Sequence, residues 1–243
     1  MLEGARAFVT GGSRGIGAAI ATALAEAGAE VAIGSRGGTG ASISGTRSLV
    51  LDVTDIDSVA EAFREVGPID ILVNGAGQVR SAPFARHSDE LWQDMLAVNL
   101  TGAFNCIRAA LPSMLERGRG RVINIASTGA LKGYPYVVGY VAAKHGLLGM
   151  TRALAAEYAK SGVTFNAICP GYTRTDLFET SVAEIVGSTG RTREQVEERL
   201  TANNPQGRLI EPSEIAEAVL WLASPGAQSV TGQSVALAGG EVS

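Results

Sequence analysis

Short apolar runs alternate along the chain with longer stretches whose apolar positions recur at a helical period. The apolar runs predict strands, and the periodic stretches predict the helices between them. Strands that are apolar along their whole length and separated by helices are typical of a parallel sheet covered on both faces. The pattern predicts a doubly wound, seven-stranded α/β fold in one domain, residues 1–243, with strands at 7–10, 31–34, 48–51, 69–73, 122–126, 163–168 and 234–237 and main helices at 18–27, 56–66, 88–117, 136–160 and 212–222.

Two segments interrupt this alternation. Residues 37–47 lie where a crossover helix is expected, but Gly37, Gly38 and Gly40, with several Ser and Thr, predict a loop instead. Residues 176–206 are polar with few strand signals, and they predict one short helix at 193–201. Because this second segment follows the end of a strand, its position suits a lid over a site at the edge of the sheet.

The first strand leads directly into a glycine-rich loop, residues 10–17, which opens the first helix. Glycines let the backbone approach a phosphate closely, and the N-terminus of the following helix supplies N–H groups and partial positive charge. A glycine pattern alone is weak evidence, but its place inside a βαβ unit is the context that dinucleotide binding requires. The loop therefore predicts a pyrophosphate site formed by Gly11, Ser13, Arg14, Gly15, Ile16 and Gly17.

The end of the second strand carries no acidic residue that would bond a ribose 2′-hydroxyl. Ser35 and Arg36 stand there instead. Arg36 and Arg14 together would form a cationic seat for a 2′-phosphate, since planar guanidinium groups suit phosphate oxygens. The sequence therefore favours NADP(H) over NAD(H) as cofactor.

Tyr140 and Lys144 are one helical turn apart and share a face of the predicted helix. Such pairs are common on solvated helix faces, so the spacing alone is weak evidence. A cation held beside a phenol lowers its pKa and makes it a proton donor or acceptor near neutral pH. Ser127 ends the strand that precedes this helix, and its hydroxyl is placed to hold a carbonyl oxygen beside the phenol.

Other short segments follow strand ends in a fixed order. They are Asp52-Val53, Asn74-Gly75-Ala76-Gly77 and Pro170-Gly171, the last with Thr173 and Thr175. With the glycine loop, Asn99, Ser127, Tyr140 and Lys144, they resemble the short-chain dehydrogenase/reductase family over nearly the whole chain, with similarity to its 3-oxoacyl reductases. Gly75 departs from the family's usual second Asn. The resemblance implies a Rossmann fold.

The same resemblance implies roles for these residues. Asn99, Ser127, Tyr140 and Lys144 correspond to the family's catalytic tetrad. Tyr140 is then the general acid/base for a hydride transfer between nicotinamide and a carbonyl or carbinol carbon, and Lys144 also holds the nicotinamide ribose. Asn99 is then expected to support a water chain to Lys144. By resemblance, Asp52 and Val53 contact the adenine, residues 74–77 flank the cofactor, and Pro170, Gly171, Thr173 and Thr175 meet the carboxamide and diphosphate.

Substrate identity is less well marked. Candidate contacts lie in loops expected at the carboxyl ends of the strands, namely Gln78, Arg80, Leu131, Tyr134, Arg174 and Phe178. The NADP(H) preference and the resemblance favour reduction of a ketone or 3-oxoacyl thioester. Two alternatives stay open: an oxidative dehydrogenase of small secondary alcohols or hydroxyacids, and a non-catalytic NADP-sensing regulator.

Composition bears on the possible binding partners, metal sites and cellular location. Lys and Arg number 20 against 24 Asp and Glu, a net charge of −4 without a basic cluster, which disfavours nucleic acid and anionic membrane as partners. Cys106, Cys169, His87 and His145 are isolated, so no metal site is predicted. Neither a signal peptide nor a membrane span is recognisable, and a cytoplasmic protein is expected. The long apolar helices, by the same resemblance, predict a homotetramer.

Overall fold

A single sheet of parallel strands forms the centre of the molecule. The computed structural model describes residues 2–38 and 43–242. Within these residues the sheet has seven strands in the order β3-β2-β1-β4-β5-β6-β7. They are β1 Arg6–Thr10, β2 Glu30–Ser35, β3 Thr46–Val50, β4 Ile71–Asn74, β5 Gly120–Ile125, β6 Val163–Pro170 and β7 Ser234–Leu237. The strand order reverses between β1 and β4, which opens a crevice at their carboxyl ends, where open α/β sheets bind ligands.

Helices cover both faces of the sheet, as predicted. They are α1 Gly15–Glu26, α2 Ile56–Val66, α3 Asp89–Leu96, α4 Gly102–Glu116, α5 Val138–Glu157, α6 Asp176–Thr189, α7 Arg193–Thr201 and α8 Pro212–Ala223. Neighbouring residues of β1 point to opposite faces: Val9 packs with Ile20 and Ile215 of α1 and α8. Phe8 packs with residues of α2 and α4, including Phe63, whose ring meets it edge-on at 5.1 Å between centroids. The near-continuous apolar strands are thus explained by burial on both sides.

The helix predicted at 88–117 is interrupted. A π turn, Ala97–Thr101, separates α3 from α4. The Asn99 amide donates a hydrogen bond of 3.0 Å to the Met95 carbonyl, four residues earlier, which is the acceptor that the Asn99 backbone N–H would use in a regular α-helix. The side chain therefore competes with the backbone at this turn. Asn99 itself is 1% exposed and lies beside the carboxyl end of the sheet.

Several other predicted boundaries shift by up to three residues, and two of these shifts adjoin loops. The helix predicted from residue 136 begins at Val138, because Tyr136 adopts a left-handed φ of 70° that an α-helix excludes. The third strand begins at Thr46, inside the loop predicted at 37–47. Residues 37, 38 and 43–45 are not helical, as predicted, and residues 39–42 lie outside the described part of the chain.

The segment 176–206 contains two helices where one was predicted. The predicted helix, α7, is present, but α6 was missed. The Thr175 hydroxyl caps α6, and Gly190 in a left-handed conformation ends it. Phe178 and Val182 of α6 pack against Val196 and Leu209. Tertiary packing thus stabilises a helix whose sequence has many Ser, Thr and Gly residues. No helix in the described ranges is long and apolar enough to cross a membrane.

Candidate active site

The glycine loop after β1 is too closely packed for side chains at Gly11 and Gly17. A Cβ atom at Gly17 would lie 2.2 Å from the Gly11 carbonyl oxygen, and one at Gly11 would lie 2.8 Å from the Ala76 backbone. Gly15 has a φ of 53°. Arg14, at the N-cap of α1, makes no side-chain capping bond. The first N–H groups of α1 are therefore available to an anion, and this loop fits the pyrophosphate of a dinucleotide.

The segment after β4 is tied to the end of β1. The Thr10 hydroxyl accepts hydrogen bonds from the N–H groups of Gly75 and Ala76, both at 3.2 Å. A Cβ atom at Gly75 would lie 2.8 Å from the Thr10 carbonyl oxygen. The absence of a side chain at Gly75 thus permits a close approach of the two strand ends. Asn74 lies deeper, where its amide donates to Asn124 at 2.8 Å.

The ends of β2 and β3 carry the groups predicted for the adenosine half of a cofactor. Arg36, directly after β2, and Arg14, in the glycine loop, are both exposed. Asp52 accepts hydrogen bonds from the Thr54 N–H and hydroxyl, which, with a smaller contribution from the positive charge of Arg36, lower the pKa of the Asp52 carboxyl. Val53 is buried. The Asp52 carboxylate, Val53 and the exposed Arg36 guanidinium group at this edge fit the adenosine half of a nucleotide.

Ser127, Tyr140 and Lys144 converge at the carboxyl end of β5. Tyr140 and Ser127 both lie beside Gly129, since a Cβ atom at Gly129 would lie 3.3 Å from Tyr140 Cε1 and 3.4 Å from Ser127 Oγ. Lys144 is 4% exposed, and its Nζ lies 5.6 Å from the centre of the Tyr140 ring and donates to the Ile125 carbonyl at 2.8 Å. The helical spacing and the strand end therefore bring together the three groups that the sequence indicated.

Burial dominates the pKa values in this cluster. It raises the pKa of the Tyr140 phenol, an effect that the neighbouring Ser127 hydroxyl opposes only in part. It also lowers the pKa of Lys144 from 10.5 to about 8. The sequence predicted that a cation beside Tyr140 lowers its pKa. In the structure the net shift is upward, because desolvation disfavours the phenolate. A protonated Tyr140 is suited to donate a proton.

Asn99 holds the loop that follows β4. Its amide donates to the Gln78 carbonyl at 2.9 Å, and its Oδ1 accepts from the Gln78 N–H at 3.2 Å. A Cβ atom at Gly77 would lie 3.0 Å from Asn99 Oδ1 and 3.7 Å from Lys144 Nζ. Asn99 therefore fixes the backbone beside Lys144. The water chain implied by resemblance stays a prediction.

The segment after β6 closes across the glycine loop. Thr173 is buried and donates to the Gly171 carbonyl at 3.0 Å. Thr175, which caps α6, lies 3.4 Å from the position that a Cβ atom of Gly15 would occupy. The segment that follows β6 thus meets the start of α1 at Thr175. This proximity agrees with the prediction that both segments contact one extended ligand.

Several predicted substrate residues have other partners. Arg80 pairs with Asp94 at 3.4 Å, and Arg174 with Glu211 at 2.9 Å. Phe178 is 5% exposed in the cluster between α6 and α7.

The remaining three substrate candidates lie near Asn99 or near the turn that follows Ser127. Gln78 is held by Asn99, and Leu131 packs beside Ala130. Tyr134 donates its hydroxyl to Glu241. Glu241 itself was missed, because a single Glu after two glycines has no recognisable pattern.

The cysteines lie in the interior. Cys106 and Cys169 are free and buried. Burial raises the pKa of the Cys106 thiol to about 12 and also raises that of Cys169. Both thiols therefore behave as small apolar side chains rather than nucleophiles.

Comparisons with known proteins identify the family. The family model described as enoyl-(acyl carrier protein) reductase matches residues 11–241. The chain is 41% identical over 244 residues to the acetoacetyl-CoA reductase of Rhizobium meliloti, covering 97% of each chain. It is 40% identical to the 3-oxoacyl-(acyl-carrier-protein) reductase of Vibrio harveyi, covering 98% of each.

A solved structure of a related enzyme is similar to this chain over nearly its whole length. A variant of the actinorhodin polyketide ketoreductase with NADPH superposes with a TM-score of 0.90 at 36% identity, covering 98% of this chain and 97% of that one. The fold, the glycine loop and the Ser127–Tyr140–Lys144 cluster agree with this kinship. The chain therefore belongs to the short-chain dehydrogenase/reductase family and is an oxidoreductase that uses a nicotinamide cofactor.

Proposed function

We propose that this enzyme reduces the keto group of a 3-oxoacyl thioester, or a related ketone, with NADPH. The observation that carries the proposal is the Tyr140 phenol, which burial keeps protonated, beside Ser127 and with the buried Lys144 Nζ 5.6 Å from its ring centre. A protonated phenol is the form needed to reduce a carbonyl. The names of the relatives, which are acetoacetyl-CoA, 3-oxoacyl and polyketide reductases, support this substrate class.

Ser127, Tyr140 and Lys144 have separate roles in the proposed reaction. The bound nicotinamide supplies a hydride to the carbonyl carbon. Ser127 donates a hydrogen bond to the carbonyl oxygen and orients it. Tyr140 transfers its proton to the same oxygen as negative charge develops there, so that the carbonyl becomes an alcohol. Lys144 stabilises the phenolate that this transfer leaves, until solvent returns the proton.

We place the cofactor along the carboxyl edge of the sheet. The start of α1 and residues 74–77 would hold its diphosphate and ribose, and the segment from Pro170 to Thr175 would close over the nicotinamide. Asp52 and Val53 would border the adenine. Ser35, Arg36 and Arg14 would seat a 2′-phosphate, which supports NADP(H) over NAD(H).

Replacing Arg36 with Ser tests the cofactor preference. We expect kcat/KM with NADPH to fall about 10- to 100-fold, because a charge-assisted contact to phosphate is lost, while kcat/KM with NADH changes little. The control is Arg64→Ser, which removes an exposed arginine paired with Glu61. A wild-type enzyme that uses NADH as well as or better than NADPH would refute the preference.

A substrate panel tests the proposed reaction. Acetoacetyl and longer 3-oxoacyl thioesters, simple ketones, secondary alcohols and hydroxyacids are supplied with the reduced or oxidised cofactor, and the absorbance of reduced nicotinamide is followed. We expect the highest kcat/KM for a 3-oxoacyl thioester. Turnover of alcohols alone would favour the oxidative alternative. Binding of NADPH without any turnover would favour the sensor.

We further propose that the chain is one domain in which 176–206 forms the lid. Phe178 and Val182 of α6 and Val196 of α7 form an apolar cluster with Leu209, which lies outside the lid, and this packing of the lid on the rest of the chain supports a single domain. A cytoplasmic homotetramer remains our expectation. The homotetramer is supported by exposed apolar side chains outside the site, such as Phe104 and Trp221, at 45% and 48% exposure. A monomeric mass in solution would contradict it.

A further inference from the structure

Glu241 is a buried acidic side chain to which the proposed mechanism gives no part. It lies just after β7, and its side chain is only 2% exposed. Its Oε1 accepts a hydrogen bond of 2.5 Å from the Tyr134 hydroxyl and pairs with Lys132 Nζ at 3.0 Å. A buried carboxylate is costly unless such partners compensate it. Both partners of Glu241, Tyr134 and Lys132, therefore lie in the loop that follows Ser127.

The contact continues from Tyr134 towards the catalytic serine. The Tyr134 and Thr128 hydroxyl oxygens are 2.7 Å apart. Because Tyr134 gives its proton to Glu241, Thr128 donates to Tyr134. Burial and the bond to Glu241 raise the pKa of Tyr134, so it stays a donor. Lys132, the other partner of Glu241, donates its backbone N–H to the Thr128 carbonyl at 3.0 Å. Both partners of Glu241 thus hold Thr128.

Thr128 opens the short turn that orients Ser127. The turn spans Thr128–Ala130, and the Gly129 N–H donates to Ser127 Oγ at 3.0 Å. A Cβ atom at Gly129 would lie 3.4 Å from Ser127 Oγ and 3.3 Å from Cε1 of Tyr140. The backbone of this turn is therefore in close contact with both catalytic side chains. A shift of a few tenths of an ångström in the turn would move the hydroxyl that holds the substrate oxygen.

We propose that Glu241 is a positioning residue for the reduction, acting through Tyr134 and Thr128 on the orientation of Ser127. The inference rests on the proposed roles of Ser127 and Tyr140. Glu241 also borders the segment after β6, since a Cβ atom at Gly171 would lie 3.2 Å from its Oε2. One carboxylate after β7 thus links the serine loop to the segment that closes over the cofactor.

Replacing Glu241 with Gln tests this role. The neutral amide oxygen accepts the Tyr134 hydroxyl less strongly than the carboxylate does and no longer forms an ion pair with Lys132, so both contacts that hold Thr128 weaken and the turn loosens. We expect kcat for ketone reduction to fall about tenfold, because small misplacements of catalytic groups are costly, while the Kd of NADPH is unchanged. The control is Glu65→Gln, which removes an exposed carboxylate paired with Arg47 and should leave kcat unchanged.

A second variant separates positioning from stability. Tyr134→Phe removes the hydroxyl that joins Glu241 to Thr128, and we expect a similar loss of kcat. The double variant should lose less than the product of the two single losses, because both changes weaken the same Tyr134–Glu241 contact. Unchanged kcat in both single variants would overturn the proposal. So would losses that multiply, or a fall in kcat that tracks thermal instability.

Amide hydrogen exchange provides a readout that does not depend on turnover. The N–H groups of Ala130 and Leu131 close the turn onto Ser127 and Thr128. They should exchange several-fold faster in Glu241→Gln than in the wild type, and equal exchange would overturn the proposal. Absence of ketone reduction by the wild type would instead refute the proposed function, whatever the exchange shows.

Discussion

Replacing Tyr140 with Phe is expected to lower kcat for carbonyl reduction by roughly 10²–10⁴-fold, the usual contribution of a positioned general acid. The variant loses only the phenolic oxygen, so the ring keeps its packing against Lys144 and Gly129. Because the glycine loop and the segment after β4 are untouched, NADPH should bind with its wild-type Kd. Steady-state kinetics and titration of NADPH fluorescence measure the two quantities separately.

The control for this variant is Tyr158→Phe, which removes a phenol just after the end of the same helix. Tyr158 packs on Phe165, away from Ser127, and its variant should keep wild-type kcat. Retention of more than about a tenth of kcat in Tyr140→Phe would refute the role of Tyr140, since a proton-transfer group contributes more than that.

Replacing Lys144 with Met is expected to lower kcat by about 10²-fold and to change how stability depends on pH. Burial lowers the pKa of Lys144 from 10.5 to about 8. Below pH 8 the folded state contains a buried charge that is unfavourable there. Between pH 8 and 10.5 the folded state has lost this proton while the unfolded chain retains it, so the wild type becomes more stable as pH rises.

The methionine variant lacks this titration. Its free energy of unfolding relative to the wild type should therefore fall from pH 7 to pH 10, as measured by urea denaturation at both values. The loss of the hydrogen bond to Ile125 lowers the stability of the variant at both pH values and does not alter the sign of the trend. Lys160→Met, at an exposed site, is the control and should show no such trend. An equal difference at both pH values would contradict the lowered pKa.

The order of elements could be predicted because local pattern and global fold agree at most positions. The buried strands are apolar on both faces, and glycines mark the loop after β1, where the backbone is tightly packed. Tyr140 and Lys144 are placed by helical spacing within one element. Ser127 is placed by the end of its strand, and parallel strands bring their carboxyl ends to one edge.

The errors arose where distant residues decide local structure. The helix α6 has a mixed, Ser- and Thr-containing sequence and is stabilised by packing of Phe178 and Val182 on α7 and Leu209. The break between α3 and α4 depends on Asn99, whose amide takes the Met95 carbonyl while it also binds Gln78, 21 residues away. Periodicity contains neither kind of information.

The sequence by itself determined the parallel sheet, the glycine loop and the identity of the groups beside it, because each follows from spacing within one element or from the common edge of the strands. The tertiary structure alone decided the surroundings of those groups. Burial sets the protonation of Tyr140 and Lys144, and ion pairs occupy Arg80 and Arg174. The tertiary structure also brings Glu241 into contact with Tyr134, in the loop that follows Ser127. The two residues are 107 positions apart in the sequence, so this contact depends on three-dimensional packing.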